Sequence, residues 1–330
     1  MSIFGNLIHA LAGKFRLQRC ARRVGSQAWA RQLAAHGLPQ FPAQALSSGR
    51  LVLPDLAIEI SSGHNFVLGA YGYLWDIKAC GFSLNAIGER EIEIAGHGVR
   101  VRLNSVEEVF IFREIFCERT YDVQPAVQAL VIDVGMNIGL ASLFFAASLP
   151  NSRVEAFEPF ASTCARARQQ LALNPELAGR INVRNYGLWS ANEHRRIEID
   201  ASHKGSTGIW GTQADLDSGT QRVRDSEEIM LCDAAAVLGP ILSAHRSGPI
   251  ILKLDAEGSE YGIFEQLAKA ELVGRFDVIL MEWHRIKPEH DPLRIRAMLS
   301  DLGYCSLCHQ YLHRPFGMLY AFRQCPSGRV

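Results

Sequence analysis

Hydrophobic residues in the second half of the chain form short continuous runs separated by longer, helix-like stretches. Residues 130–134 and 154–157 are apolar except for one acid in each run, and Leu140–Leu149 between them is almost wholly apolar. Short continuous apolar runs are typical of strands that are buried on both faces of a parallel sheet. The pattern therefore predicts a strand–turn–helix–strand unit over residues 130–159.

The same alternation continues towards the end of the chain. Strands that alternate with helical stretches predict an α/β fold around a parallel sheet. The further predicted strands are Ile181–Tyr186, Arg195–Asp200, Pro249–Asp255 and Phe276–Met281, the helices are Ser162–Leu173 and His290–Leu302, and a hairpin of Tyr304–Leu312 with Met318–Phe322 closes the sheet.

A different pattern precedes this region. Glu91–Ala95 and Val99–Leu103 alternate with period two on either side of a glycine-containing turn, which predicts a β-hairpin. Ser105, with Glu108 three residues later, indicates a capped helix start. We therefore predict a small β-rich unit over residues 50–104 and a larger domain over residues 105–330.

Residues 1–36 form a basic stretch, and no acidic residue occurs before Asp55. One interpretation is an interfacial helix that touches an anionic membrane surface. The other is a helix that packs on its own protein and exposes a basic face. Five apolar side chains would share one helix face: Phe4, Leu7, Ile8, Leu11 and Phe15.

Composition narrows the class of protein. Its 34 basic and 34 acidic residues cancel, so we expect no general affinity for nucleic acid. No apolar run is long enough to span a bilayer, and no secretory signal is evident. The eight cysteines are scattered and do not resemble a disulfide framework. We expect a cytoplasmic protein, with contact at the inner membrane surface as the alternative for residues 1–36.

The candidate ligand-binding residues follow the predicted strands. The turn Asp133–Gly139 comes after the first strand, and the second strand ends in Glu158. Parallel strands present their carboxyl ends on one rim, where ligands bind and where an acid can accept hydrogen bonds from ribose hydroxyls. The glycines do not follow the dinucleotide spacing, which favours a nucleoside cofactor without a pyrophosphate. The candidate cofactor-binding residues are Asp133, Gly135, Met136, Asn137, Gly139, Glu158, Pro159 and Gly187.

Four motifs carry a family resemblance. DVGMNIG, EAFEP, LKLDAEGSEYGIFEQL and VILMEWH occur in that order, and the chain from about 112 to 322 resembles the FkbM family of S-adenosylmethionine-dependent methyltransferases. Met136 and Ala256 depart mildly from the family pattern. The resemblance implies a class I methyltransferase, Rossmann-like sheet of seven mostly parallel strands. It also implies S-adenosyl-L-methionine as cofactor and a hydroxyl of a sugar or secondary metabolite as acceptor.

Two later strands should bring catalytic groups to the same rim. His284 is the first candidate base because an unperturbed histidine titrates near neutral pH, and Asp255 and Glu257 are the next candidates. Glu260 is expected to face a structural partner. The main prediction includes no metal; the alternative is a metal-assisted sugar O-methyltransferase, with a divalent ion on Asp255, Glu282 and His284.

Two other functions compete with methyl transfer. A dinucleotide-binding oxidoreductase is disfavoured by the glycine spacing, and a non-catalytic methyltransferase-like scaffold is disfavoured by the intact turn and Glu158. The sequence predicts a small-molecule or glycan hydroxyl acceptor.

A haem-attachment pattern, Cys305-x-x-Cys308-His309, also occurs in the last part of the chain and, with His313, offers zinc ligands. We reject both interpretations, because a strand places Cys305 and Cys308 on opposite faces.

Overall fold

The computed structural model describes residues 17–38, 40–123, 128–200, 207–208, 211–212, 224–312 and 314–324. The chain divides into two compact units, Met1–Thr120 and Tyr121–Val330. Residues 17–24 are helical, whereas the apolar side chains predicted to share a helix face in the first 15 residues lie outside the described residues. In the described part of the chain, no helix is both long and apolar enough to cross a bilayer.

The first unit contains two three-stranded antiparallel sheets. The predicted hairpin is confirmed, and Glu93 lies opposite Arg102 in its register. The Glu93 carboxylate lies 3.2 Å from both Arg100 and Arg102, so the hairpin carries its own charge pairing. The strands are β1 (Gln44–Ala45), β2 (Leu51–Leu53), β3 (Ile58–Ile60), β4 (Ser83–Ile87), β5 (Glu91–Gly96) and β6 (Val99–Leu103).

The last helix of this unit, Val106–Phe116, begins as the sequence indicates. The Ser105 hydroxyl accepts a hydrogen bond from the Glu108 N–H at 3.1 Å, and the Glu108 carboxylate accepts one from the Asn104 N–H. Free backbone donors at the helix start are thereby satisfied. Besides the helical residues 17–24, the described helices of this unit are α1 (Gln27–Ala35), α2 (Phe66–Gly69), α3 (Tyr71–Ala79) and α4 (Val106–Phe116), with a 3₁₀ turn at Ser62–His64.

The second unit is built on a seven-stranded sheet. Its strands are β7 (Leu130–Val134), β8 (Arg153–Phe157), β9 (Ile181–Arg184), β15 (Ile250–Leu254), β16 (Val278–His284), β17 (Tyr304–Gln310) and β18 (Phe316–Arg323). They lie in the order β17-β18-β16-β15-β7-β8-β9, and β18 alone runs in the opposite direction to the other six strands of this sheet. The predicted class I methyltransferase sheet is confirmed.

The two central strands, β7 and β15, are buried along their whole length. Helical residues Leu238 and Phe264 pack on one face, and Ser142 contacts Asp133 on the other, which explains why the sequence of these strands is apolar without alternation. Chain order reverses between β7 and β15, and ligands of such sheets bind at this reversal, outside the carboxyl ends of the strands. The helices are α5 (Leu140–Ser148), α6 (Ala161–Ala172), α7 (Pro175–Ala178), α8 (Ala234–Ala244), α9 (Glu260–Lys269) and α10 (Pro292–Asp301), with a 3₁₀ turn at Val273–Arg275.

A separate three-stranded sheet follows the third strand, which ends at Arg184 instead of Tyr186. Gly187 belongs to this sheet, and a Cβ added there would lie 2.7 Å from the Leu231 side chain. A side chain at position 187 would therefore displace the end of the Leu231 side chain and press against Pro159. The strands are β10 (Gly187–Trp189), β11 (Glu193–Asp200) and β14 (Arg224–Asp233); β12 (Thr207–Gly208) and β13 (Gly211–Thr212) form a small pair.

The closing hairpin is also confirmed. Cys305 is exposed on β17, whereas Cys308 packs against the core, as strand alternation requires. His313 lies outside the described residues.

Candidate active site

The turn after β7 is fastened to the end of β8. The N–H groups of Gly135 and Met136 donate to the Phe157 carbonyl at 3.1 and 3.0 Å, and the Asn137 N–H donates to Glu158 Oε2 at 2.9 Å. Gly135 has a φ of 76°, and a Cβ there would lie 1.6 Å from the Asp255 carbonyl oxygen. Glycine at position 135 therefore allows the ends of β7 and β15 to touch.

Glu158 is almost completely buried at the end of β8, with 5% of its surface exposed. Its second carboxylate oxygen accepts a hydrogen bond from the Phe160 N–H at 3.0 Å. Burial raises the pKa of Glu158 to about 7, although the two N–H donors and Lys253 act in the opposite direction. An ionised carboxylate offers about four acceptor positions, so it can accept further donors after binding these two amides.

Beneath the turn lies a buried ion pair that the sequence analysis did not identify. Lys253 Nζ is 3.2 Å from Asp133 Oδ1, 3.5 Å from Asp255 Oδ2, and donates to the Gly135 carbonyl at 2.6 Å. Burial lowers the pKa of Lys253, but the nearby Asp133 and Asp255 carboxylates outweigh it and raise the pKa overall. The ammonium group is therefore charged and joins the ends of β7 and β15.

Two of the predicted cofactor-binding side chains lie below the rim. Asp133 has no exposed surface; its Oδ2 accepts the Ser142 hydroxyl at 2.6 Å, and its Oδ1 faces Lys253. Met136 is buried as well. Asp133 thus supports the turn from inside the protein.

A second group of polar side chains lies at the ends of β15 and β16. Asp255, Glu257 and His284 each offer one potential ligand atom, and these atoms all lie within 4.8 Å of one another. The sequence analysis gave Asp255, Glu282 and His284 as possible ligands of a divalent ion. In the structure, Glu257 instead of Glu282 lies beside Asp255 and His284. Glu282 contributes at longer range, since its charge raises the pKa values of Lys253 and His284.

His284 is held from behind by a buried acid. Its Nδ1 lies 3.0 Å from Glu260 Oε1, and Glu260 also accepts the N–H groups of Ala256 and Gly258, each at 2.9 Å. The prediction that Glu260 faces a structural partner is confirmed. Burial lowers the pKa of His284, but Glu257, Glu260 and Glu282 outweigh it and hold the pKa well above its usual value. The acids around His284 thus favour its charged form, and its role as the catalytic base stays a prediction.

The sequence does contain a feature that indicates a buried, paired Lys253. It is the only charged residue in the apolar run of β15, and buried lysines are almost always paired. Its partner in the parallel register is Asp133, which is likewise the only acid in β7.

The residues of this site lie within the part of the chain that matches a known protein family. The family model described as "Methyltransferase FkbM domain" matches residues 133–305, just over half of the chain, and includes the turn, Glu158 and the Asp255–Glu257–His284 cluster. The chain belongs to the FkbM methyltransferase family.

Curated relatives of this FkbM-family chain match over short segments. The 31-O-demethyl-FK506 methyltransferase FkbM of Streptomyces tacrolimicus is 37% identical over 83 residues, which are 24% of this chain and 32% of that protein. The AMB antimetabolite synthetase AmbE of Pseudomonas aeruginosa is 34% identical over 118 residues, 35% of this chain and 5% of that protein. The chain thus matches a third or less of each of these relatives.

The solved structures that are similar to this chain include proteins whose titles name them as methyltransferases or methylases. A structure titled methyltransferase FkbM from Methylobacillus flagellatus covers 79% of this chain and 61% of its own, at 12% identity and a TM-score of 0.37. One titled putative rRNA-methylase from Clostridium thermocellum covers 59% of this chain and 88% of its own, at 11% identity and a TM-score of 0.32.

Proposed function

We propose that this FkbM-family enzyme transfers a methyl group to a hydroxyl of a sugar or secondary metabolite. The cofactor would lie on the rim formed by Gly135, Asn137, Gly139, Glu158 and Pro159. The observation that carries the proposal is the position of the Asp255–Glu257–His284 cluster. It lies at the ends of β15 and β16, next to the turn of β7, so an acceptor and a cofactor can meet between them.

The bound cofactor supplies an electrophilic methyl group on a sulfonium centre. The residues of this chain must place the acceptor oxygen in line with that group and remove the hydroxyl proton. The Asp255 and Glu257 side chains are partly exposed, at 25% and 22%, whereas His284 is buried and paired with Glu260. A carboxylate of this pair would accept the proton, and the buried imidazole would fix the orientation of Glu257.

Glu158 would accept hydrogen bonds from the ribose hydroxyls, and this role predicts a pH dependence. The ionised carboxylate accepts two hydroxyl donors better than the neutral acid does. With a pKa of about 7, ionisation of Glu158 is mostly lost at pH 6 and nearly complete at pH 8. Calorimetry should therefore show about tenfold tighter cofactor binding at pH 8 than at pH 6.

The matched control for this pH dependence is Glu158→Gln, which cannot ionise. Its affinity should be lower and nearly constant between pH 6 and pH 8, apart from any titration of the cofactor itself. An equally steep pH dependence in the variant would assign the effect to another group.

The proposed acceptor is tested by methyl transfer from labelled S-adenosylmethionine to a panel of free sugars, polyketides, lipid-linked glycans and RNA. Label in a small hydroxyl compound or a glycan supports the proposal, and label in RNA alone contradicts it. Binding of NAD in place of S-adenosylmethionine would favour the oxidoreductase. Binding of S-adenosylmethionine without transfer to any acceptor would favour the scaffold.

For the basic stretch 1–36 we propose a peripheral contact with anionic lipid, because six basic residues and no acid occur there. Co-sedimentation with anionic liposomes should be stronger for the full chain than for a chain that begins at residue 37. Equal sedimentation of the two would end this proposal.

A further inference from the structure

The Asp255–Glu257–His284 cluster has the geometry of a cation site. His284 Nε2 and Glu257 Oε2 lie at an ion-pair distance of 3.5 Å, longer than the usual hydrogen bond. Two ligand atoms ~2.1 Å from one ion, at a tetrahedral angle, are separated by ~3.4 Å. This pair of atoms is thus spaced as two ligands of one ion would be, and the potential ligand atoms of all three residues lie within 4.8 Å of one another.

The histidine of this cluster is oriented as a metal ligand. His284 has only 4% of its surface exposed, and Glu260, which is fully buried, holds its Nδ1. Nε2 is left directed at the two carboxylates. Metal-binding histidines usually pair their other ring nitrogen with a carboxylate or carbonyl in this way, because that contact fixes both the tautomer and the ring orientation.

Charge in this region also favours a cation. Lys253 pairs with Asp133 and Asp255, so it offsets part of the negative charge of the cluster and leaves Glu257 and Glu260 to His284. Among the described residues, five carboxylates raise the pKa values of the two bases here, Lys253 and His284: Asp133, Asp255, Glu257, Glu260 and Glu282.

We propose that Asp255, Glu257 and His284 bind one divalent first-row transition cation. An imidazole ligand disfavours Mg²⁺ and Ca²⁺, which take oxygen ligands, whereas Mn²⁺ and Zn²⁺ accept this mixed set. Three protein ligands leave open positions on the ion. If the proposed function holds, an acceptor hydroxyl bound there would lose its proton more readily, to a second carboxylate oxygen or to water, before its oxygen attacks the methyl group.

The test uses the full chain without a histidine tag, stripped with a chelator and titrated with Mn²⁺ by calorimetry and electron paramagnetic resonance. We expect one Mn²⁺ per chain, and weaker binding of Mg²⁺. Glu257→Gln and Asp255→Asn should each weaken Mn²⁺ binding at least tenfold. Glu265→Gln is the matched control, because it makes the same change on α9 outside the cluster, and it should bind Mn²⁺ as the wild type does.

No binding by the wild type, equal binding by all variants, or Mg²⁺ binding as tight as Mn²⁺ would overturn the proposal. Retained S-adenosylhomocysteine binding shows that each variant is folded. The Mn²⁺ titration also separates this inference from the proposed function. Mn²⁺ binding without methyl transfer would support the metal site and contradict the proposed function. Methyl transfer without Mn²⁺ binding would contradict the metal site alone.

Discussion

Replacement of Lys253 by methionine is expected to lower the free energy of unfolding by about 3–5 kcal/mol, because it leaves Asp133 charged and unpaired in the interior. The lysine has 2% of its surface exposed and binds two carboxylates as well as the Gly135 carbonyl. The variant should also lose cofactor affinity, since the turn after β7 loses its anchor. Urea unfolding, followed by circular dichroism, measures the first effect.

The double variant Lys253→Met with Asp133→Asn provides the control. Removing the second charge should recover about half of the lost stability, because the neutral amide costs less to bury than the unpaired carboxylate. A loss below about 1 kcal/mol for Lys253→Met, or no recovery in the double variant, would show that this ion pair does not organise the strand ends.

Glu257→Gln is expected to lower kcat by about 10²–10⁴-fold, the usual contribution of a positioned acid or base. The side chain lies at the rim, opposite His284, and is partly exposed, so the fold should be retained. Cofactor affinity should change little, because Glu158 and the turn after β7 are untouched. Steady-state kinetics with a responsive acceptor, together with cofactor calorimetry, separate the two quantities.

Glu265→Gln again serves as the matched control and should keep kcat within about twofold of the wild-type value. If Glu257→Gln retains kcat within threefold of the wild-type value, or loses cofactor affinity in parallel with kcat, then Glu257 does not act on the acceptor hydroxyl as proposed.

The main sheet could be predicted because its signals are local. Continuous apolar runs mark β7, β8 and β15, and a glycine turn and an acid follow the first two. These features depend on neighbours in sequence, so one chain is enough to read them. The strand order itself came from the family resemblance, since periodicity does not encode which strands are adjacent.

The side-chain contacts within the site could not be predicted in the same way. Lys253 and Asp133 are 120 positions apart, and their pairing follows only from the register of β15 on β7. The raised pKa of His284 likewise depends on Glu260, which reaches it from the start of α9. A histidine judged by its ordinary pKa is therefore misjudged whenever the fold surrounds it with acids.

The most direct test of the account is whether Glu158 binds the ribose of the cofactor. Calorimetry would compare S-adenosylhomocysteine with an analogue that lacks both ribose hydroxyls, on the wild type and on Glu158→Ala. We expect the wild type to bind S-adenosylhomocysteine about 10–100-fold more tightly than the analogue, because hydrogen bonds to a charged group contribute about that much to affinity. The variant should bind both compounds with similar affinity. An equal preference in both proteins, or no binding of S-adenosylhomocysteine by the wild type, would contradict it.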